Sequence, residues 1–188
     1  MEDDKHEQAR LLLSRTLASF TDESLSLVET LREKALLSLR IIDTSPEPDY
    51  DEIVHLATAV CGTPTAAIMF LHEQDAWVKS VSNNAFPARM ERCQTICNVT
   101  IDDPNNTMVI NDPLTDIRFQ NSSWVNGDLD SIRFYAGAPL VCDGVAVGAL
   151  CVIDYVTREI TPEQVHNLEI LAKIVVKCLE RRRSPKSK

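Results

Sequence analysis

Glycine is scarce, with five in 188 residues. A phosphate-binding loop and a dinucleotide fingerprint are both absent, because each needs closely spaced glycines to bring backbone N–H groups onto an anion. The four histidines are scattered, and no Gly-x-Ser-x-Gly elbow occurs, so Ser/His/Asp catalysis has no support. No apolar run reaches the roughly 20 residues of a membrane-spanning helix. The charged N-terminus, Met1-Glu-Asp-Asp-Lys-His-Glu-Gln8, is unlike a signal peptide, which predicts a cytoplasmic protein. The net charge is -9 and the pI about 4.9. That balance lacks the positive field that binding to nucleic acid or an anionic membrane would require. The basic end, Glu180 to Lys188, is the exception and reads as a frayed helix end with a solvated tail. The six cysteines at 61, 93, 97, 142, 151 and 178 show no disulfide framework. In a reducing compartment they are free thiols acting mostly as small core residues.

What the chain does have is concentrated in Ile132 to Asp154. Two apolar segments flank Asp143-Gly144, a strong signal for a two-residue hairpin turn. The arm from Val145 to Ile153 has no polar residue. A strand apolar on both faces has to be covered on both faces. The hairpin is therefore expected inside a sheet, with helices on one side and a second cover on the other. It carries no catalytic constellation, which favours sensing or binding over an enzyme.

Around the hairpin, Ala9, Leu13, Leu17 and Phe20 are spaced for a helix over 3–20. Asp22 is placed to cap a second helix carrying Leu25, Val28, Leu31, Ala35, Leu36 and Leu39. A third helix is expected from Asp49 to Val60, ended by Gly62. Thr65 to Leu71 reads as a central strand and Ala76 to Val81 as its neighbour. Residues 82–106 read as irregular, with a short helix around Ala88 to Arg92. Met108 to Ile110 is a short strand. The polar segment 111–131 embeds Ile117, Phe119, Trp124 and Val125, as a lid would. The last helix starts at Thr161-Pro162-Glu163-Gln164, where Gln164 can complete a capping box with Thr161. Its Ile170 and Ile174 lie off the main apolar face and offer a second contact.

Cys93 and Cys97 invite a thiol-redox reading, which needs an exposed sulfur with a lowered pKa. Zinc needs three or four ligands and finds no partner histidine here, so no metal or cofactor is expected. Asp102-Asp103 reads as a solvated loop pair. Arg133 and Tyr135 share one strand face. Either Arg133 snorkels and Tyr135 packs, or both line a pocket and meet a polar or anionic ligand. Trp124 is either a lid anchor or a stacking wall.

Several segments occur together in order: Leu39 to Glu47, Ala76 to Ser80, Asp112 to Phe119, Ile132 to Leu140, Gly148 to Asp154 and Leu168 to Ala172. This set resembles the GAF domain family, in the branch found in bacterial histidine kinases and diguanylate cyclases. The resemblance implies an α+β fold. It has a central antiparallel sheet of five or six strands, helices on one face and a loop-lidded pocket on the other, roofed by residues 82–131. A helical extension at 1–34, the GAF domain at 35–183 and a basic tail at 184–188 are expected. The family implies a sensory module that binds a small molecule, signals through its terminal helices as a homodimer, and works with a kinase or cyclase output domain. Cys97, Asp112, Trp124, Arg133 and Tyr135 are the expected ligand-binding residues. Branch members often carry Phe-Cys-Ala-His, where this chain has Ile96-Cys97-Asn98-Val99. The Cys-His pair that attaches bilins is therefore not matched. The alternatives are a ligand-free dimerisation or scaffolding module, and a thiol redox sensor or oxidoreductase using Cys93 and Cys97.

Overall fold

The hairpin expected between residues 132 and 154 forms one flank of the centre of a six-stranded sheet. A computed structural model describes residues 24–183. The helix expected over 3–20, the cap at Asp22 and the tail from 184 lie outside the described residues. Helix α1 occupies residues 24–38. It is followed by α2 (Pro48–Cys61), β1 (Thr65–His72), β2 (Asp75–Val81) and β3 (Arg89–Glu91). Then come α3 (Ile96–Thr100), β4 (Met108–Ile110), β5 (Phe134–Cys142), β6 (Val145–Asp154) and α4 (Pro162–Arg183). The strand order is β3-β2-β1-β6-β5-β4, and every neighbouring pair is antiparallel. The fold is α+β, as the resemblance implies.

β1 and β6 lie in the middle, which is why both are almost entirely apolar. Ala66, Ile68 and Phe70 of β1 face the helices, and Ala67, Met69 and Leu71 face the other way. Asp143 and Gly144 both take left-handed backbone, with φ of 53° and 81°. Positive φ at both turn positions matches the twist of the two strands. Opposite Leu140 and Val141 the β5–β6 register shifts, so Val147 faces the helices while Ala146 and Ala149 face away.

Helices α1, α2 and α4 cover one face. Leu36, Val54, Ala57, Leu168 and Val175 are fully buried there, and burying each larger side chain is worth about 1.5–3 kcal/mol. The expected capping box closes α4: Thr161 N–H donates to Gln164 Oε1 at 3.0 Å, and Gln164 N–H donates to Thr161 Oγ1 at 3.2 Å. Gln164 also donates through Nε2 to the Cys61 carbonyl at 2.9 Å. The same side chain thus serves the end of α2, which stops at left-handed Gly62.

Two expectations are corrected. The segment 88–92 is not a helix. Val78 N–H donates to Ala88 O at 2.9 Å, and Arg89 to Glu91 pair with β2 as an edge strand. The helix begins at Ile96 instead, after Thr95, whose hydroxyl accepts from Asn98 N–H at 3.3 Å. The basic end of α4 is not frayed as far as Arg183. Arg182 donates to the Arg40 carbonyl at 3.0 Å and to Glu47 at 2.9 Å, and Arg183 pairs with Asp143.

Candidate functional site

The second face of the sheet is covered by α3 and by the long segments that flank β4. Thr95 caps α3, and that cap turns Cys97 and Thr100 inward, where both are buried. From the sheet, Tyr135 of β5 rises to meet them. Its ring lies over Gly137, where a Cβ would stand 2.2 Å from the Tyr135 hydroxyl. The glycine leaves the space through which that hydroxyl reaches Thr100 Oγ1 at 2.7 Å and donates to Cys97 Sγ at 3.3 Å. Cys97 Sγ is 3.7 Å from Met69 Sδ. Cys151, on β6, is buried on the same face of the sheet.

Met69, Cys97, Tyr135 and Cys151 line a cavity of about 30 Å³, with Phe86 and Trp124 on its roof side. The two rings meet edge to face, with centroids 5.4 Å apart and planes at 68°. Ser122 Oγ donates to Gln94 O at 3.0 Å, which ties the two roof segments together. Ligand sites for small organic molecules usually enclose about 300–1,000 Å³. A cavity of this size holds about two waters, so anything larger requires the roof to move.

Of the five expected residues, Cys97, Trp124 and Tyr135 come together at the cavity. Arg133 and Asp112 lie outside its lining. The Arg133 guanidinium donates through Nη1 to Val125 O at 2.7 Å and Ile132 O at 3.0 Å, which fastens the roof to the sheet. Asp112 Oδ1 accepts from Leu114 N–H at 3.1 Å, a side-chain turn at the start of the lid. Sequence reasoning missed Thr100, Met69 and Cys151. Thr100 is three residues from Cys97 on α3, a spacing that carries information only once the helix is known. Cys151 pairs across the sheet with Gly137, so strand alternation places it beside Tyr135.

The cysteines differ sharply. Cys93 is exposed and Cys97 buried. Burial pushes the Cys61 and Cys142 thiols up to about 11. At the cavity, the hydrogen bond with Cys151 lowers the Cys97 pKa against the opposing effect of burial, with help from Tyr135. The same hydrogen bond, together with burial, raises Cys151, and burial raises Tyr135. Among the described residues, no group of three or more His, Cys, Asp or Glu side chains is placed to hold a metal ion.

A polar network leads from this site to α1. Asn98, next to Cys97 on α3, accepts from Arg92 Nε at 2.7 Å. Arg92 Nη1 reaches Glu29 Oε1 of α1 at 2.5 Å and Glu73 O at 3.2 Å. Arg32, buried on α1, pairs with Glu29 and donates to the Leu71 carbonyl. Glu33 accepts from the His72 ring at 2.7 Å and from Glu73 N–H at 2.6 Å. The hydrogen bond from Arg32, reinforced by Arg92, holds the Glu29 pKa down to about 2.

A six-stranded antiparallel sheet, helices on one face and a roofed cavity on the other define an α+β sensor-domain fold. The chain belongs to the GAF domain family, whose model matches residues 45–179. It is 30% identical over 158 residues to a cyclic di-GMP phosphodiesterase of Pseudomonas aeruginosa, covering 83% of this chain. The chain spans 26% of that relative's length. A domain of a two-component sensor histidine kinase protein from Sinorhizobium meliloti superposes with a TM-score of 0.58 at 12% identity, covering 76% of this chain and 95% of that one. The blue-light absorbing form of the PixJ GAF domain of Thermosynechococcus elongatus gives 0.58 at 13% identity, covering 71% and 84%. At these identities the two structures share the fold. Among the described residues, no helix is long and apolar enough to cross a membrane.

Proposed function

We propose that the chain is a regulatory GAF module rather than an enzyme, and that it passes a change in its cavity to its terminal helices. The observation that carries this reading is the placement of α3. Cys97 lines the cavity, and the adjacent Asn98 holds Arg92, which in turn holds Glu29 of α1. A shift of α3 by a fraction of an ångström breaks or remakes charge-assisted hydrogen bonds, each worth about 1.5–3 kcal/mol. Such differences are large enough to bias a two-state helix. The curated relative is a phosphodiesterase much longer than this chain, which supports a place beside an output domain of a signalling enzyme.

A small-molecule effector would act beneath the roof formed by residues 82–131, with Trp124 and Tyr135 as walls and Cys97 beside them. Homodimerisation through the terminal helices is supported by exposed apolar residues. On α1 these are Leu25, Val28 and Leu31, exposed by 66%, 53% and 47%, and on α4 they are Ile170 and Ile174. The second reading, a ligand-free dimerisation module, is favoured by one observation: the cavity of about 30 Å³ is far smaller than an ordinary ligand site.

The test is hydrogen exchange in the Arg92→Ala variant. The relay predicts faster amide exchange in α1 and in α3 together. Faster exchange around residue 92 alone, with α1 unchanged, would remove the route.

A further inference from the structure

Cys97 and Cys151 stand apart from the other cysteines. They belong to different elements, α3 and β6, yet both line the cavity; Cys97 rests on Met69, and Cys151 is paired across β1–β6 with Ala67, two residues from Met69 on the same sheet face. Cys61 and Cys142 are buried on the helix face, while Cys93 and Cys178 reach solvent. We propose that Cys97 and Cys151 form a reversible dithiol–disulfide pair, oxidised by a peroxide small enough to enter the cavity.

Size selects the oxidant. A cavity of about 30 Å³ has room for about two water molecules, which suits the two oxygens of hydrogen peroxide. It excludes a peptide disulfide such as oxidised glutathione. Position selects the nucleophile. The thiolate is the reactive form, and the Tyr135 hydroxyl donates to Cys97 Sγ from 3.3 Å. The lowering of the Cys97 pKa and the raising of the Cys151 pKa run in the same direction. Met69, whose Sδ is 3.7 Å from Cys97 Sγ, keeps the surroundings apolar.

The chemistry balances in two steps. The Cys97 thiolate attacks one peroxide oxygen; an S–O bond forms and the O–O bond breaks. The departing hydroxide takes up a proton and leaves as water, and Cys97 becomes a sulfenic acid. Cys151 sulfur then attacks Cys97 sulfur; the S–S bond forms and the S–O bond breaks. The second hydroxide takes the Cys151 proton and leaves as water. Two thiols lose two protons and two electrons, and one peroxide becomes two waters. A small thiol or dithiol reductant reverses the change.

This inference names a stimulus for the module proposed above. Its signalling consequence rests on that reading, while the thiol chemistry rests on the cavity alone. Drawing Cys97 toward β6 moves α3, and with it Asn98 and its hold on Arg92.

The test uses the full chain, reduced and folded, exposed to a small excess of hydrogen peroxide. Free thiols are then alkylated and the digested peptides are mapped with and without reductant. The expected product is a Cys97–Cys151 cross-linked peptide that has lost two hydrogens and is released by reductant. Cys93→Ser keeps it; Cys97→Ser and Cys151→Ala each abolish it. Tyr135→Phe slows it by about tenfold or more at neutral pH, the value of a hydrogen bond to a charged sulfur. Oxidation of Cys93 with Cys97 and Cys151 both recovered as free thiols overturns the proposal, and so does a Cys93–Cys97 link. The wild-type map decides even if a variant fails to fold. Hydrogen exchange in α1, read on the same oxidised sample, separates the two claims. A cross-link with unchanged α1 upholds the thiol pair and removes the signalling route.

Discussion

The Tyr135 ring occupies the space that a side chain on Gly137 would fill, so the two residues work as a unit. The ring's hydroxyl is the hub of the cavity, touching both Thr100 and Cys97. Gly137→Ala would push a methyl into that hydroxyl at 2.2 Å and force the ring off its position. A loss of about 1–3 kcal/mol is expected, the usual cost of overpacking a filled core, measured as a lower urea midpoint. An unchanged midpoint would mean that the ring has another place to go. Tyr135 is readable from its place in the covered hairpin, Trp124 from the lid segment 111–131, and Cys97 from the resemblance; all three lie at the cavity. Arg133 stands out in the sequence as a charge in an apolar neighbourhood, and Asp112 as the start of a segment of the family resemblance. In the structure those charges meet the backbone of Val125, Ile132 and Leu114. Sequence spacing does not report which carbonyl or N–H a long side chain finds. Cys151 reads as plain core in the sequence, because Cys97, the other cysteine of the cavity, lies 54 positions away on another element.

At the level of elements, turn chemistry was the most readable signal. Asp143-Gly144 and the Thr161–Gln164 box each use local backbone requirements, and both formed as read. The segment 88–100 was misread for the opposite reason. Arg89 to Glu91 becomes a strand only because the β2 edge is open to it, and that pairing is not local. The docking of α1 likewise depends on distant charge. Glu29 has its pKa lowered from 4.5 to about 2 by Arg32 and Arg92. Because the folded value lies below the unfolded one, the stabilisation is fully present above about pH 4.5 and is lost as pH falls toward 2. The expected outcome is α1 loosening across that window, read by amide exchange or by quenching of a probe on α1. Glu29→Gln should loosen α1 at neutral pH and flatten the acid response at this contact. A Glu29→Gln protein with wild-type protection of α1 and the same acid profile would show that the pair contributes nothing to docking.

For the molecule as a whole, helices and roof pack on opposite faces of one sheet, and the α1 network runs past the sheet's edge to join them. Helix α1 continues without a break through residue 35, the expected start of the GAF domain, and buries Ala35 and Leu36 in the core. Its outer side keeps Leu25, Val28 and Leu31 exposed, a row that a second copy can cover. Native mass spectrometry of the freshly purified chain should therefore give the mass of a dimer, and Leu25→Lys combined with Val28→Lys should give a monomer. A monomeric wild type would leave those side chains to another partner.

The central claim is that the cavity and α1 are energetically coupled through Arg92. A double-mutant cycle tests it most directly, with amide protection of α1 as the readout for Tyr135→Phe, Arg92→Ala and the double variant. The account predicts that Tyr135→Phe weakens α1 protection when Arg92 is present and adds nothing once Arg92 is gone, a coupling of about 0.5 kcal/mol or more. Additive effects within about 0.3 kcal/mol, or no response of α1 to Tyr135→Phe, would contradict it.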